Sequence, residues 1–381
     1  MKINLTKITY YLLLCYLSLS VLFPAFVLNK LAFILIFIIN LKYISFKALI
    51  NPLIILFIFS YGYLISYLNY SELTISNQFF VTIFSLFLIY PINKILNKSF
   101  YEIIIKIGII GCIYSLLILL LLIFFRDLSI YKLVENIFYD ISLGSIGLRD
   151  FIGSPILTVH IGCAPFLYLS YALLLKKIKR YNIKNIFFIF LHIVTILLTG
   201  SRALFLITIL ISIYFYLKKL NLFNKILSTS VLLLISLFIF NIIIEKSNLL
   251  DPKEESNNVK LGHVESYIDN LNLANFLLGE GLGSYYYSKG SRSFKSNTEI
   301  TIIDYFRYLG VPIGVLFFFL LIFPFNNKFQ LLLKEKDLFI IFILYFINSF
   351  TNPVLINSYG LIVVLWYWNE NLNYKLIINN E

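Results

Sequence analysis

The chain has 381 residues, 60% of them hydrophobic and only 13% charged, with a mean hydropathy of +0.88. Repeated apolar runs of about 18–22 residues match transmembrane helices, which excludes a soluble enzyme; the runs do not alternate, which excludes an outer-membrane barrel. The net charge of +12 would point to nucleic acid in a soluble protein, but here it fits lysine-rich cytoplasmic loops.

In chain order the pattern predicts an all-α polytopic integral membrane protein. It has about twelve transmembrane helices, near 8–28, 30–46, 52–68, 78–96, 103–125, 155–175, 185–200, 202–217, 226–244, 301–323, 337–354 and 358–368. The second, seventh, eighth and last are short or weak. The first run lacks a small-residue cleavage site and is followed by many more, so it is expected to stay as a helix. Cys15, Cys112 and Cys163 fall inside apolar runs and read as inert buried thiols.

Placing both termini in the cytoplasm puts Lys2, Lys7, Lys42, Lys47, Lys94, Lys98, Lys176, Lys177, Lys179 and Arg180 on the inner side, close to span ends. Two long connections are then extracytoplasmic: a first loop over 126–154 and a large loop over 245–300, within a single membrane domain covering 1–381. The inner loops are too short to fold as a nucleotide-binding unit. Chemistry outside the membrane is therefore expected on the outer face.

Within the large loop, Leu261, Val264, Ile268, Leu271, Ala274 and Leu278 share one face of a predicted helix over 261–278, suited to a membrane interface. Gly279, Gly281 and Gly283 end it. Their G-x-G-x-G spacing is not the dinucleotide fingerprint, and no strand precedes it.

Arg202, in Leu198-Thr199-Gly200-Ser201-Arg202, stands between two apolar runs at the outer face with almost no loop around it. A guanidinium there needs an anion or water, or snorkels to lipid headgroups. Arg149 sits late in the first long loop, and Arg307 lies a turn or two into the tenth predicted span. Asp304 is three residues before Arg307, so a local ion pair is the plain alternative for that arginine. Arginines converging on an outer cavity would suit a pyrophosphate, which the guanidinium fork binds bidentately.

His263 and Glu299 are the leading acid/base candidates, with Glu265 a third. A lone loop histidine is more often structural. His160 and His192 lie within predicted spans without a second ligand at metal spacing, so no metal site is expected. Tyr285, Tyr286 and Tyr287, with Tyr267, suit either an interfacial aromatic belt or a glycan-binding surface.

The segment "TGSRALFL" entering a helix, the large outer loop, and "GHVESYIDNLNLANFLLGEGLGSYYYSKG" running on to "NTEITIIDYFRYLGVPIGV" resemble the O-antigen and capsule repeat-unit polymerases of the Wzy type, relatives of the O-antigen ligases. The resemblance implies a glycosyltransferase-type polymerase in the bacterial inner membrane. It would join undecaprenyl-pyrophosphate-linked oligosaccharides at the outer face, without cofactor or nucleic acid, alongside a chain-length regulator and a flippase. It implies a pyrophosphate role for Arg202, Arg149 and Arg307, and activation of the acceptor hydroxyl by His263 or Glu299. The tyrosines would then be glycan contacts. Ligases carry a histidine where this chain reads Ser296-Asn297-Thr298-Glu299, which favours polymerase over ligase. A lipid-linked oligosaccharide flippase is the alternative from another class, but the spans are almost uncharged and show no related halves.

Overall fold

The computed structural model describes residues 5–24, 27–41, 46–96, 99–124, 128–140, 143–151, 154–178, 182–221, 224, 255–298, 300–325, 335–350 and 352–378. The chain divides into two compact units, Met1–Ile103 with Val259–Glu381, and Ile104–Asn258. Four helical stretches among the described residues are long and apolar enough to cross a membrane: Leu5–Leu22, Ala48–Leu68, Leu73–Leu96 and Phe100–Phe124. The ninth predicted span, 226–244, lies outside the described residues.

The first unit holds helices α1 (Leu5–Leu22), α2 (Val27–Asn40) and α3 (Phe46–Leu68). The stretch α4 (Leu73–Leu96) follows. It leaves α-geometry at Phe84, passing through 3₁₀ and π turns around Pro91, whose missing N–H breaks the regular ladder. After the second unit the chain returns to this one from Val259.

The core of this unit is α15 (Ser358–Ile378), where every residue from Leu361 to Trp368 is buried. Hydropathy alone ends this span early because buried Asn369 and Asn371 follow Trp368. Asn369 Oδ1 accepts from Asn93 at 3.1 Å, although its buried Nδ2 has no hydrogen-bond partner, and Asn371 donates to the Tyr367 carbonyl at 2.8 Å. Phe342, on α14 (Lys336–Asn348), stacks on Tyr367 at 4.1 Å.

The predicted span over 301–323 is two helices, α12 (Thr301–Leu309) and α13 (Val311–Ile322). Gly310 separates them at φ 78°, and Pro312 opens the second. Tyr305 of α12 packs on Phe317 of α13 and Phe59 of α3, with centroids 5.1 and 6.0 Å away. Aromatic pairs of this geometry contribute about 0.5–1.5 kcal/mol each, which fixes α12 against α3 and α13.

In the second unit, α5 (Phe100–Phe124) runs on from its first turn, followed by α6 (Leu128–Asp140). The hairpin β1 (Gly144–Phe151) and β2 (Ser154–Ile161) comes next, then α7 (Ala164–Lys177), α8 (Ile183–Leu198) and α9 (Arg202–Lys218). The sixth predicted span therefore begins not at 155 but near Ala164. Its first residues pair as β2 with β1, burying Val159 and Ile161, and Pro165 starts the helix. Two small hairpins thus qualify the all-α expectation.

Candidate functional site

The large loop builds its site within the first unit. The single predicted helix over 261–278 is two, α10 (Glu255–Asp269) and α11 (Leu273–Leu278), because Asn272 caps the second by accepting from the Asn275 N–H at 2.8 Å. The face α10 buries is polar: Gly262, His263 and Ser266. Leu261 and Ile268 point outward, 50% and 61% exposed, as do Leu273, Leu277 and Leu278 of α11. The apolar stripe read from the sequence is therefore real but faces the surroundings, and hydrogen bonds hold the other side. Ser266 donates to the Gly262 carbonyl at 2.7 Å and accepts from the Lys289 N–H at 2.8 Å. A Cβ on Gly262 would lie 2.3 Å from the Gly290 nitrogen, so only glycine lets helix and turn come this close.

The glycine cluster does not cradle an anion. The N–H groups of Gly279, Glu280, Gly281 and Leu282 donate to the carbonyls of Asn275, Arg307, Tyr308 and Gly62, at 2.7–3.1 Å. Gly281 needs its φ of 97°, and a Cβ there would meet the Ser66 nitrogen at 2.4 Å. The glycines seat the loop on α3 and α12.

Arg307 lies at the centre, its side chain 1% exposed. Its Nη1 donates to the Ser284 carbonyl at 2.6 Å, to Ser284 Oγ at 3.2 Å and to Glu280 Oε2 at 3.4 Å; its Nη2 donates to the Ser296 carbonyl. Asp304 is 3.9 Å away, the ion pair that the i,i+3 spacing offers. The guanidinium carbon sits 4.3 Å over Tyr286 and 4.9 Å over Tyr308. Protein oxygens take Nη1 and Nη2 and rings cover the guanidinium, leaving only Nε without a hydrogen-bond partner, so Arg307 ties the loop to its helix. Burial pushes the Glu280 carboxyl above the ordinary carboxylate range, against the pull of Arg307.

Strands β3 (Tyr286–Ser288) and β4 (Ser293–Lys295) pair Tyr286 with Lys295 and Tyr287 with Phe294. Alternation turns Tyr286 and Ser288 inward and Tyr287 outward. Their hydroxyls meet His263 Nδ1 at 2.9 Å (Tyr286) and 2.8 Å (Ser288). Tyr286 is 6% exposed, too deep for a direct glycan contact, whereas Tyr285 and Tyr287 are each about half exposed.

Beside this hairpin opens a cleft of about 450 Å³, lined by His263, Tyr285, Phe294, Lys295, Ser296, Asn297, Thr298 and Pro353. One wall is tightly held. The Ser296 carbonyl also accepts from the Tyr308 hydroxyl, and the Thr298 N–H donates to both Asp304 carboxylate oxygens at 2.9 Å. Such a cleft offers an imidazole, two aromatic faces, one ammonium and a fixed row of backbone groups.

Of the residues named from the sequence, the structure gathers His263, Tyr285, Tyr286, Tyr287 and Arg307 around this hairpin. Glu299 lies outside the described residues. Arg149 and Arg202 belong to the second unit. There Arg149 pairs across the hairpin with Ile156. Arg202 opens α9 with an exposed side chain, after Gly200 at φ 63° and the N-cap Ser201. His160 Nδ1 lies 3.1 Å from the Thr199 carbonyl in the same turn. Sequence reasoning missed the site roles of Glu280, Ser284, Ser288 and Ser296; only the position of Glu280 between glycines could have drawn notice. Comparison with protein-family models, with curated proteins and with solved structures finds no match.

Proposed function

We propose that the chain is a polytopic membrane enzyme that joins undecaprenyl-pyrophosphate-linked oligosaccharide repeat units into O-antigen or capsular polysaccharide. The observation that supports it best is the cleft itself: His263 in its lining, Tyr285 and Phe294 as faces for sugar rings, and Lys295 and backbone polar groups at its edge. In this reading about twelve spans cross the bacterial inner membrane, both termini are cytoplasmic, and the cleft opens outward.

The reaction is a substitution at the anomeric carbon. The acceptor hydroxyl oxygen bonds to that carbon, the carbon–oxygen bond to the pyrophosphate breaks, and the lipid pyrophosphate leaves with the electron pair. The hydroxyl proton passes to a base. The pyrophosphate role of Arg202, exposed at the start of α9, and of Arg149 comes from the family resemblance alone. Arg307 shapes the cleft and does not touch substrate.

Glycan length in a deletion strain complemented with variants tests this. Polymerase loss leaves single repeat units on the carrier or final acceptor; ligase loss leaves long chains on the carrier; flippase loss leaves repeats facing the cytoplasm. Arg202→Ala is expected to give single repeats from an inserted, normally abundant protein. Normal chain lengths in that variant would remove Arg202 from the mechanism.

A further inference from the structure

The helix α11 is apolar in composition yet hides nothing. It reads Leu273-Ala274-Asn275-Phe276-Leu277-Leu278, and none of its six residues is buried. Its one polar side chain is satisfied within the loop: the Asn275 amide donates to the Asn270 carbonyl at 3.1 Å and to Glu280 Oε1 at 3.2 Å. A helix this short has little stability of its own in water, and the hydrophobic effect disfavours so much bare apolar surface there.

Its position accounts for that surface. The Tyr61 hydroxyl of α3 donates to the Leu278 carbonyl at 2.9 Å, and the Leu282 N–H donates to the Gly62 carbonyl at 3.1 Å. Leu68 ends α3 six residues beyond Gly62, so this contact lies about 9 Å inside the helix end. Phe57, Leu64 and Leu68 share the face of Tyr61 at helical spacing, and all three are exposed. Since α3 is long and apolar enough to cross a membrane, that face meets lipid. The same helix α11 also packs against α13, whose Val315, Leu316 and Phe319 are exposed.

The turn after α11 suits the same depth. Irregular backbone is tolerated among lipid only where protein satisfies its polar groups. The N–H groups of Gly279 to Leu282 all donate to carbonyls, and the Leu282 carbonyl accepts from Ser66 at 2.8 Å and Ser76 at 2.5 Å. The neighbouring α10 is different. Glu265 and Asp269 are exposed on either side of Ile268, and Asp269 pairs with Lys289, so that helix belongs in water.

We infer that α11 is sunk among the phospholipid acyl chains of the leaflet on the loop's side, with the water boundary passing between α11 and α10. It extends the lipid-facing stripe of α3 sideways, and it sets the height of the cleft, whose His263 belongs to α10, at the headgroup level. The inference rests on the membrane-spanning part of the reading above and not on the reaction.

The test uses the full chain in vesicles of phosphatidylethanolamine and phosphatidylglycerol, carrying Cys15→Ala, Cys112→Ala and Cys163→Ala. Nitroxide labels are placed singly through Phe57→Cys, Leu273→Cys, Leu277→Cys and Lys289→Cys, all at exposed positions. Collision with oxygen, which concentrates in lipid, is measured against collision with a water-soluble nickel chelate. Labels at Phe57, Leu273 and Leu277 should favour oxygen, and the ratio should invert at Lys289. Nickel favoured at Leu273 and Leu277 with oxygen favoured at Phe57 overturns the inference and leaves α3 as a span. Shielding of Leu273 and Leu277 from both reagents also overturns it, because a protein surface such as a second copy then covers α11. Nickel favoured at Phe57 removes the membrane reading of α3, and the inference with it.

Discussion

Glu280 and Arg307 are joined twice. The Glu280 N–H donates to the Arg307 carbonyl at 2.7 Å, and the Arg307 guanidinium donates back to the Glu280 carboxylate at 3.4 Å. Backbone and side chain thus fasten the residue that begins the loop segment to the helix that ends it.

Removing the cation leaves half-buried Glu280 and buried Asp304 without a counter-charge, and leaves the Ser284 carbonyl without its guanidinium donor. Arg307→Ala should cost about 3–5 kcal/mol, as for one half of a broken buried ion pair. Arg307→Lys should recover less than half of this, because one ammonium cannot span Ser284, Ser296 and Glu280. Thermal unfolding in detergent measures both, and a melting point within a degree or two of wild type for Arg307→Ala would refute the tie.

The Glu280 carboxyl has a native pKa raised by burial. A raised pKa means that the folded chain binds the proton more tightly than the unfolded one. Its stabilising contribution is therefore present below the ordinary carboxylate value and is lost as pH rises through the native value. Wild-type melting temperature should fall, relative to Glu280→Gln, as pH rises from acid to neutral. Parallel pH profiles for the two proteins would contradict the assignment.

Gly281→Ala places a methyl against the Ser66 backbone at a positive φ. The expected loss is about 1–3 kcal/mol, the range for a non-glycine residue held in that conformation, and it should appear as lower melting temperature and lower abundance. Gly147→Ala, where nothing lies within 4 Å of the added carbon, serves as the comparison and should be nearly neutral.

Tyr285 lines the cleft, while Tyr287 faces outward against Phe294 at 5.5 Å. Tyr285→Ala should raise the acceptor KM about three- to tenfold, the upper part of the 0.5–1.5 kcal/mol range for one aromatic face. Tyr287→Ala should change it twofold or less. Equal effects from the two substitutions would mean that the sugar rests on the outer surface of the hairpin and not in the cleft.

Apolar runs made the helices legible, because lipid-length hydrophobicity is a property of composition. Shorter-range rules placed the breaks: Gly310 with Pro312, and Asn272 as a cap, are visible once looked for, but averaged hydropathy runs across them. The strand β2 was hidden because Val159 and Ile161 suit a membrane helix as well as a hairpin. At the site, His263 and Tyr285 could be chosen from their chemistry, and the Asp304–Arg307 pair from its spacing. That Arg307 points inward at Ser284 and Ser296 could not, since carbonyl partners leave no mark on the sequence. The outward stripe of α10 and α11 had the right period, yet period alone does not say which side meets protein.

The double join of Glu280 and Arg307 makes the intervening residues an excursion whose two ends coincide. Within it the outward-facing Tyr287 and Phe294 can be rewritten, while Ser284, Tyr286, Ser288 and Ser296 hold the segment to the helices beneath.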